Sequence, residues 1–225
     1  MKIRPANTRG YLNAGWIESR RTFSNNSYWD PRYINFSDLE VINDDILQPG
    51  HAVPKHEHRN MDILGYVVTG PCTHWDSLGN ETVCESGTVQ CMSSGKSIWH
   101  TEGNNSDHPI RYLQLWIKPK LLNTRPEYTS KIFTRIDKLD NFCLIASPNG
   151  PIEILQDTRG YAGIFTRPHI YILDQQRKYY LYTVSGRAVV NNVEISEGDG
   201  ISFEEDSSIE IDRPEEFEIL LFDLR

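Results

Sequence analysis

Short apolar runs separated by turn residues recur along most of this 225-residue chain, among them LEVIND, ILGYVVTG, TVQCMSSG, IRYLQLWIKP, HIYILD, YYLYTVSG and EFEILLFDL. β-Branched and aromatic residues dominate these runs, and Gly, Asn, Asp and Pro punctuate them. Long stretches with a 3.6-residue apolar period are missing. Strands of this length at this spacing predict an all-β fold of the sandwich or barrel kind.

The runs repeat. TG-PCTHWDSLGNETVCES-GTVQCM has a partner in SG-RAVVNNVEISE-GDGISF, each a strand ending in Thr-Gly or Ser-Gly, a hairpin, then Gly and another strand. Sixteen residues separate Gly70 from Gly87 and eleven separate Gly186 from Gly198, the difference falling in the hairpin, where DSLGN replaces NN. The chain therefore divides into two similar β-barrel halves, 1–125 and 140–225, joined by a Pro-containing, charge-scattered connector at 126–139.

Composition narrows the function classes. With 38% hydrophobic and 24% charged residues the chain reads as a soluble globular protein. No run approaches the roughly 18 apolar residues of a membrane span, and MKIRPANTRGYLNAGW lacks the apolar core of a signal peptide. A cytoplasmic location is the expectation. The net charge of -8, with Arg20-Arg21 the densest basic spot, argues against direct nucleic-acid binding. Four cysteines are too few for a disulfide framework. Cys72 and Cys84 are equidistant from Leu78 in DSLGN, so a hairpin there sets them opposite each other. Two buried thiols in a reducing compartment is the preferred reading over a disulfide.

Chemistry enters with KHEHRNMDILGYVVTG. On a strand, His56 and His58 point to one face. SGKSIWHTEGN adds a second pair at the same spacing, His100 and Glu102. Such pairs also occur by chance on solvent-facing strands. If the two strands converge inside a small barrel, they form a three-histidine, one-carboxylate set of metal ligands: His56, His58, His100 and Glu102. Imidazole and carboxylate together suit Fe(II), Mn, Ni, Cu or Zn, and four protein ligands on an octahedral ion leave two positions open. His74 has two readings, a group that reaches or orients the site and a satisfied core histidine, of which the second is preferred. Met61, Met92, Trp99 and Trp116 read as a pocket wall or simply as core. Gln114 is a weaker polar candidate, and His51 and His108 belong to loops.

The glycines around these pairs, Gly50 before His56 and Gly87 before His100, resemble the two motifs of the cupin superfamily. The closer resemblance is to the pirin family, carried by RGYLNAGWIESRRTFSNNSYWDP, VINDDILQPG, KHEHRNMDILGYVVTG, HWDSLGN, MSSGKSIWHTEGN and LQLWIKP in the expected order. Within it, similarity is strongest to bacterial pirin-like proteins described as quercetinases. The resemblance implies a bicupin of two jelly-roll-like domains. It also implies one divalent transition metal, Fe(II) first and Ni, Mn, Cu or Zn as alternatives, held by His56, His58, His100 and Glu102. The implied activity is oxygen-dependent ring cleavage of a flavonol, with Glu102 as base. The partners implied are a small aromatic substrate and dioxygen, with neither nucleic acid nor membrane, for a monomer. The alternative within the same family is a metal-binding regulatory or redox-sensing protein that acts through a protein partner. The second cupin is expected to be metal-free, because equal offsets from Gly186 and Gly198 fall on Ile172, Asp174, Ile211 and Arg213. Lys55, Asn60 and Asp62 depart from the usual pirin residues and bear on substrate choice.

Overall fold

A computed structural model describes all 225 residues. The chain is predominantly β, with one single-turn α-helix, Arg135–Lys138, and one 3-10 turn, Ala6–Thr8. Two compact units divide it: Gly10–Phe133 with Ile152–Gln156, and Met1–Arg9 with Thr134–Pro151 and Asp157–Arg225.

The first unit holds two antiparallel sheets. A 7-stranded sheet runs in the order Glu127–Ile132, Thr88–Ser93, Asp62–Thr69, Ile110–Ile117, Leu39–Leu47, Ile17–Arg21, Gly10–Asn13. A 4-stranded sheet runs His56–His58, Ile98–Gly103, Cys72–Asp76, Glu81–Cys84. Alternation along the strands buries Ile17, Leu47, Val67, Ile110 and Tyr112 with Cys72 and Cys84 in one cluster. Ile63, Met92 and Ile98 form a second. The predicted hairpin is present: Cys72 pairs in register with Cys84 across a turn centred on Leu78, and both are buried free thiols.

The second unit is built on one continuous antiparallel sheet. Lys2–Arg4, Gly200–Phe203, Lys178–Val190, Ser208–Leu224, Arg159–Phe165 and Cys143–Ser147 are successive neighbours, with His169–Ile172 and Val193–Ser196 on the flanks. One core cluster of this unit is built on Phe165, Leu181, Ile201, Phe203, Phe217 and Leu221.

The structure draws some boundaries differently from the sequence. In place of closed barrels, the hydrogen-bonded ladders trace open sheets with end strands. Within the expected connector, Glu127–Ile132 is an edge strand paired to Thr88–Ser93, so that part belongs to the first unit. Met1–Arg9 belongs to the second unit: Lys2–Arg4 pairs with Gly200–Ser202, the amino terminus meets Asp206 at 2.8 Å, and Arg9 donates to the Tyr182 hydroxyl at 2.7 Å. Ile152–Gln156 crosses the other way. Leu155 N donates to Asp62 at 2.6 Å and the Gln156 amide to Lys118 O at 2.8 Å. Both exchanged segments are too short to show a period of their own, and a few hydrogen bonds settle where each lies.

Candidate metal centre

His56–His58 is a strand of only three residues. Pro54 precedes it, and Asn60, at φ 52, turns the chain after it. Pairing with the next strand fixes its register: Ile98 lies opposite His58, Trp99 opposite Glu57, and His100 opposite His56. The two-residue period sends Glu57 to the other face, where the Arg59 guanidinium at 2.8 Å and the Ser97 hydroxyl hold it. The three histidines are left on one face.

Their rings meet. Centroid separations are 4.7 Å for His56–His58, 4.5 Å for His56–His100 and 5.0 Å for His58–His100. One nitrogen from each lies within 4.8 Å of the others, and His56 Nε2 stands 3.1 Å from His100 Nε2. His56 Nδ1 is 2.9 Å from Pro54 O, which sets that nitrogen as the donor and turns the Nε2 lone pair inward. His58 Nε2 and His100 Nδ1 are buried with no hydrogen-bond partner. Burial, then repulsion from the neighbouring imidazoles, lowers His58 to about 3 and His100 to about 3. Both are therefore neutral at physiological pH, the form that binds a metal. Crowded neutral imidazoles with orphaned nitrogens are an arrangement that a cation resolves, and the donor set fits one.

Glu102 is buried on the same strand, two residues beyond His100. Its Oε1 is 3.7 Å from His100 Nδ1 and its Oε2 accepts from Gln114 Nε2 at 3.2 Å, while Trp116 Nε1 donates to Gln114 Oε1 at 3.0 Å. Burial raises the Glu102 carboxyl. The carboxylate groups with His100 and His74, a second cluster that shares His100 with the first. His74 lies opposite Glu102 in register, stacks on Tyr128 at 4.2 Å and stands 3.1 Å from Asp76 through Nε2. It is a satisfied core histidine at one nitrogen, yet its Nδ1 is buried without a partner and the residue belongs to the cluster.

A cleft of about 620 Å³ opens on His56 and His58 and is lined also by Met61, Gln114 and Trp116. The other two pocket candidates lie elsewhere: Trp99 is 44% exposed, and Met92 is core with Ile63 and Ile98. His51 is exposed beside Trp16, and His108 pairs with Asp107 at the surface.

Besides Gln114, the cleft holds polar residues that sequence reading passed over. Ser19, Asp45 and Tyr112 form one register row across three neighbouring strands, and Arg21, Asn43 and Gln114 form the next. All six are buried and line the cleft. Burial pushes the Asp45 carboxyl up to about 7, the Ser19 hydrogen bond and Arg21 opposing, Asp44 and Glu102 adding to the rise. The available signal was VINDD: Asn43 and Asp45 share a strand face whose other positions, Leu39, Val41 and Leu47, are apolar.

In the second unit, His169, rather than Ile172, lies opposite Ile211, because the turn at 173–177 is longer than its counterpart at 59–61. Its ring sits among aromatics, 5.1 Å from Phe165 and 5.4 Å from Phe142, and Ile211 is core.

Residues 2–117 match the Pirin family and residues 144–224 match the quercetinase C-terminal cupin domain. The chain belongs to the pirin family. This pirin is 34% identical to a quercetin 2,3-dioxygenase of Escherichia coli K12 over 99% of its own length and 97% of the relative's. It is 33% identical to a pirin-like protein of Caulobacter vibrioides, covering 98% and 97%. The crystal structure of the bacterial pirin YhhW from E. coli in complex with nickel(II) superposes with a TM-score of 0.93 at 34% identity, covering 99% of this chain and 98% of that one.

Proposed function

We propose that this pirin is a metal-dependent dioxygenase that cleaves the oxygenated ring of flavonols such as quercetin. His56, His58, His100 and Glu102 would hold one divalent transition metal, which we take to be Fe(II), the same donors suiting Ni, Mn, Cu and Zn. When bound, the ion supplies Lewis acidity and open coordination positions for small oxygen ligands.

The remaining chemistry belongs to the chain. Gln114 holds Glu102 Oε2, so Oε1 is the one oxygen left, which would serve as the metal ligand or, once off the ion, accept the proton of the flavonol 3-hydroxyl. Burial raises that carboxyl and so makes it a better proton acceptor than an exposed glutamate. Trp116 and Met61 supply apolar surface for a flat aromatic substrate, and Trp116 keeps Gln114 in place through its indole N–H. The carrying observation is the meeting of three histidines, two of them buried and held neutral, beside a cleft that has room for such a molecule. The names of the quercetin 2,3-dioxygenase relatives support the substrate class.

The test is oxygen uptake by metal-loaded protein supplied with quercetin. Uptake is expected, abolished by His56→Ala, and lowered by about 10²–10⁴ in Glu102→Gln. Tight metal binding with no uptake on any flavonol would replace the enzyme with a regulatory, metal-sensing pirin.

A further inference from the structure

Asp45 and Tyr112 lie outside the ligand set, yet both are buried in the wall of the same cleft. They are direct neighbours across the ladder between Leu39–Leu47 and Ile110–Ile117. Asp45 Oδ1 and Tyr112 Oη each have no hydrogen-bond partner, although the Ser19 hydroxyl serves the Asp45 carboxyl from the other side. Folded chains pair nearly all buried polar atoms, and leaving one unpaired is costly. Two buried orphans in one row, on residues that line one cleft, are a prepared contact for something that enters it.

The pair also defines what that contact is. Burial and the nearby carboxylates of Glu102 and Asp45 keep Tyr112 protonated, so its hydroxyl is available as a donor. Above its titration near 7, the ionised Asp45 offers an acceptor. A carboxylate or ketone oxygen would suit Tyr112 and be repelled by Asp45. An ammonium would suit Asp45 and leave the tyrosine donor unused. A hydroxyl satisfies both, donating to one and accepting from the other.

We propose that Asp45 and Tyr112 form a hydroxyl-binding subsite that takes a phenolic OH of the substrate other than the one presented to the metal. This deepens the dioxygenase reading and rests on it. The subsite makes the enzyme selective for polyhydroxylated flavonols, since a site built around an OH rejects the analogue that lacks it far more strongly than an apolar pocket can.

Anaerobic titration of the metal-loaded protein with quercetin and with 3-hydroxyflavone, followed by tryptophan fluorescence, gives the two Kd values without turnover. Both ligands carry the 3-hydroxyl, and only quercetin carries further hydroxyls. Wild type is expected to bind quercetin about ten-fold or more tighter. Tyr112→Phe and Asp45→Ala should bring the ratio towards one with bound metal unchanged, while Asp45→Asn, which keeps an acceptor, falls between. A ratio near one in wild type, or a preference that survives both Tyr112→Phe and Asp45→Ala, overturns the subsite and leaves the dioxygenase standing. Failure of both flavonols to bind overturns the two together.

Discussion

Asp45 and the histidines make opposite demands on pH. The folded Asp45 carboxyl titrates near 7 against an ordinary 3.8, so the folded chain holds a proton that the unfolded chain releases. Its contribution is present in full below the unfolded value and is lost as pH rises towards 7. Asp45→Asn removes the penalty and should raise unfolding free energy at pH 8 by about 2–4 kcal/mol, with the gain vanishing near pH 4, as read by urea denaturation at the two pH values. His58 and His100 behave the other way. Their folded values near 3 lie below the ordinary 6.5, so the unfolded chain takes up protons first and stability falls as pH drops from 6.5 towards 3. In chelator, the melting temperature of wild type should fall from pH 7 to pH 4.5, and that of His58→Gln should fall less. An identical slope in the variant would mean that these imidazoles are not held neutral by the fold.

At the scale of elements, the two units build one pattern with different joints. In the first, Gly70 and Pro71 break the path into Asp62–Thr69 and Cys72–Asp76. In the second, Lys178–Val190 continues through the equivalent point, with Gly186 at φ 76 and register shifts on both sides. A Cβ at Gly186 would stand 2.2 Å from Glu216 O and 2.5 Å from Glu215 O. Gly186→Ala therefore combines a left-handed backbone with a clash against main chain that cannot swing away. It should cost about 2–3 kcal/mol in thermal or denaturant unfolding. Much of this layout was legible in the sequence, because alternation and turn punctuation are local: the hairpin about Leu78 follows from the turn residues DSLGN, and the facing pairs His56/His58 and His100/Glu102 from a two-residue period. Long-range register was not. The offset from Gly186 misses His169 because nothing in the sequence fixes the length of the turn before Lys178. Asp45 and Tyr112 are neighbours only through the ladder between their strands, and so the polar row in the cleft could not be read from spacing.

For the whole molecule, the proposed metal would act on one small sheet of one unit. The three histidines come from a three-residue strand and its neighbour, in a small sheet of 4 strands in which His56–His58 is one edge. Such an edge has few backbone hydrogen bonds of its own, and a cation that ties His56 and His58 to His100 closes it. A ligand that binds only the folded state stabilises it by RT ln(1 + [L]/Kd), about 2.7 kcal/mol at a hundred-fold excess over Kd. Stripped wild type titrated with Ni(II) or Fe(II) under anaerobic conditions should thus show a concentration-dependent rise in melting temperature. His58→Ala and His100→Ala should lose it. His169→Ala provides the control, because that ring sits among Phe142 and Phe165 in the other unit and should leave the rise intact. A rise that persists in both first-unit variants would put the ion somewhere other than the three-histidine group, and the catalytic reading would lose its centre.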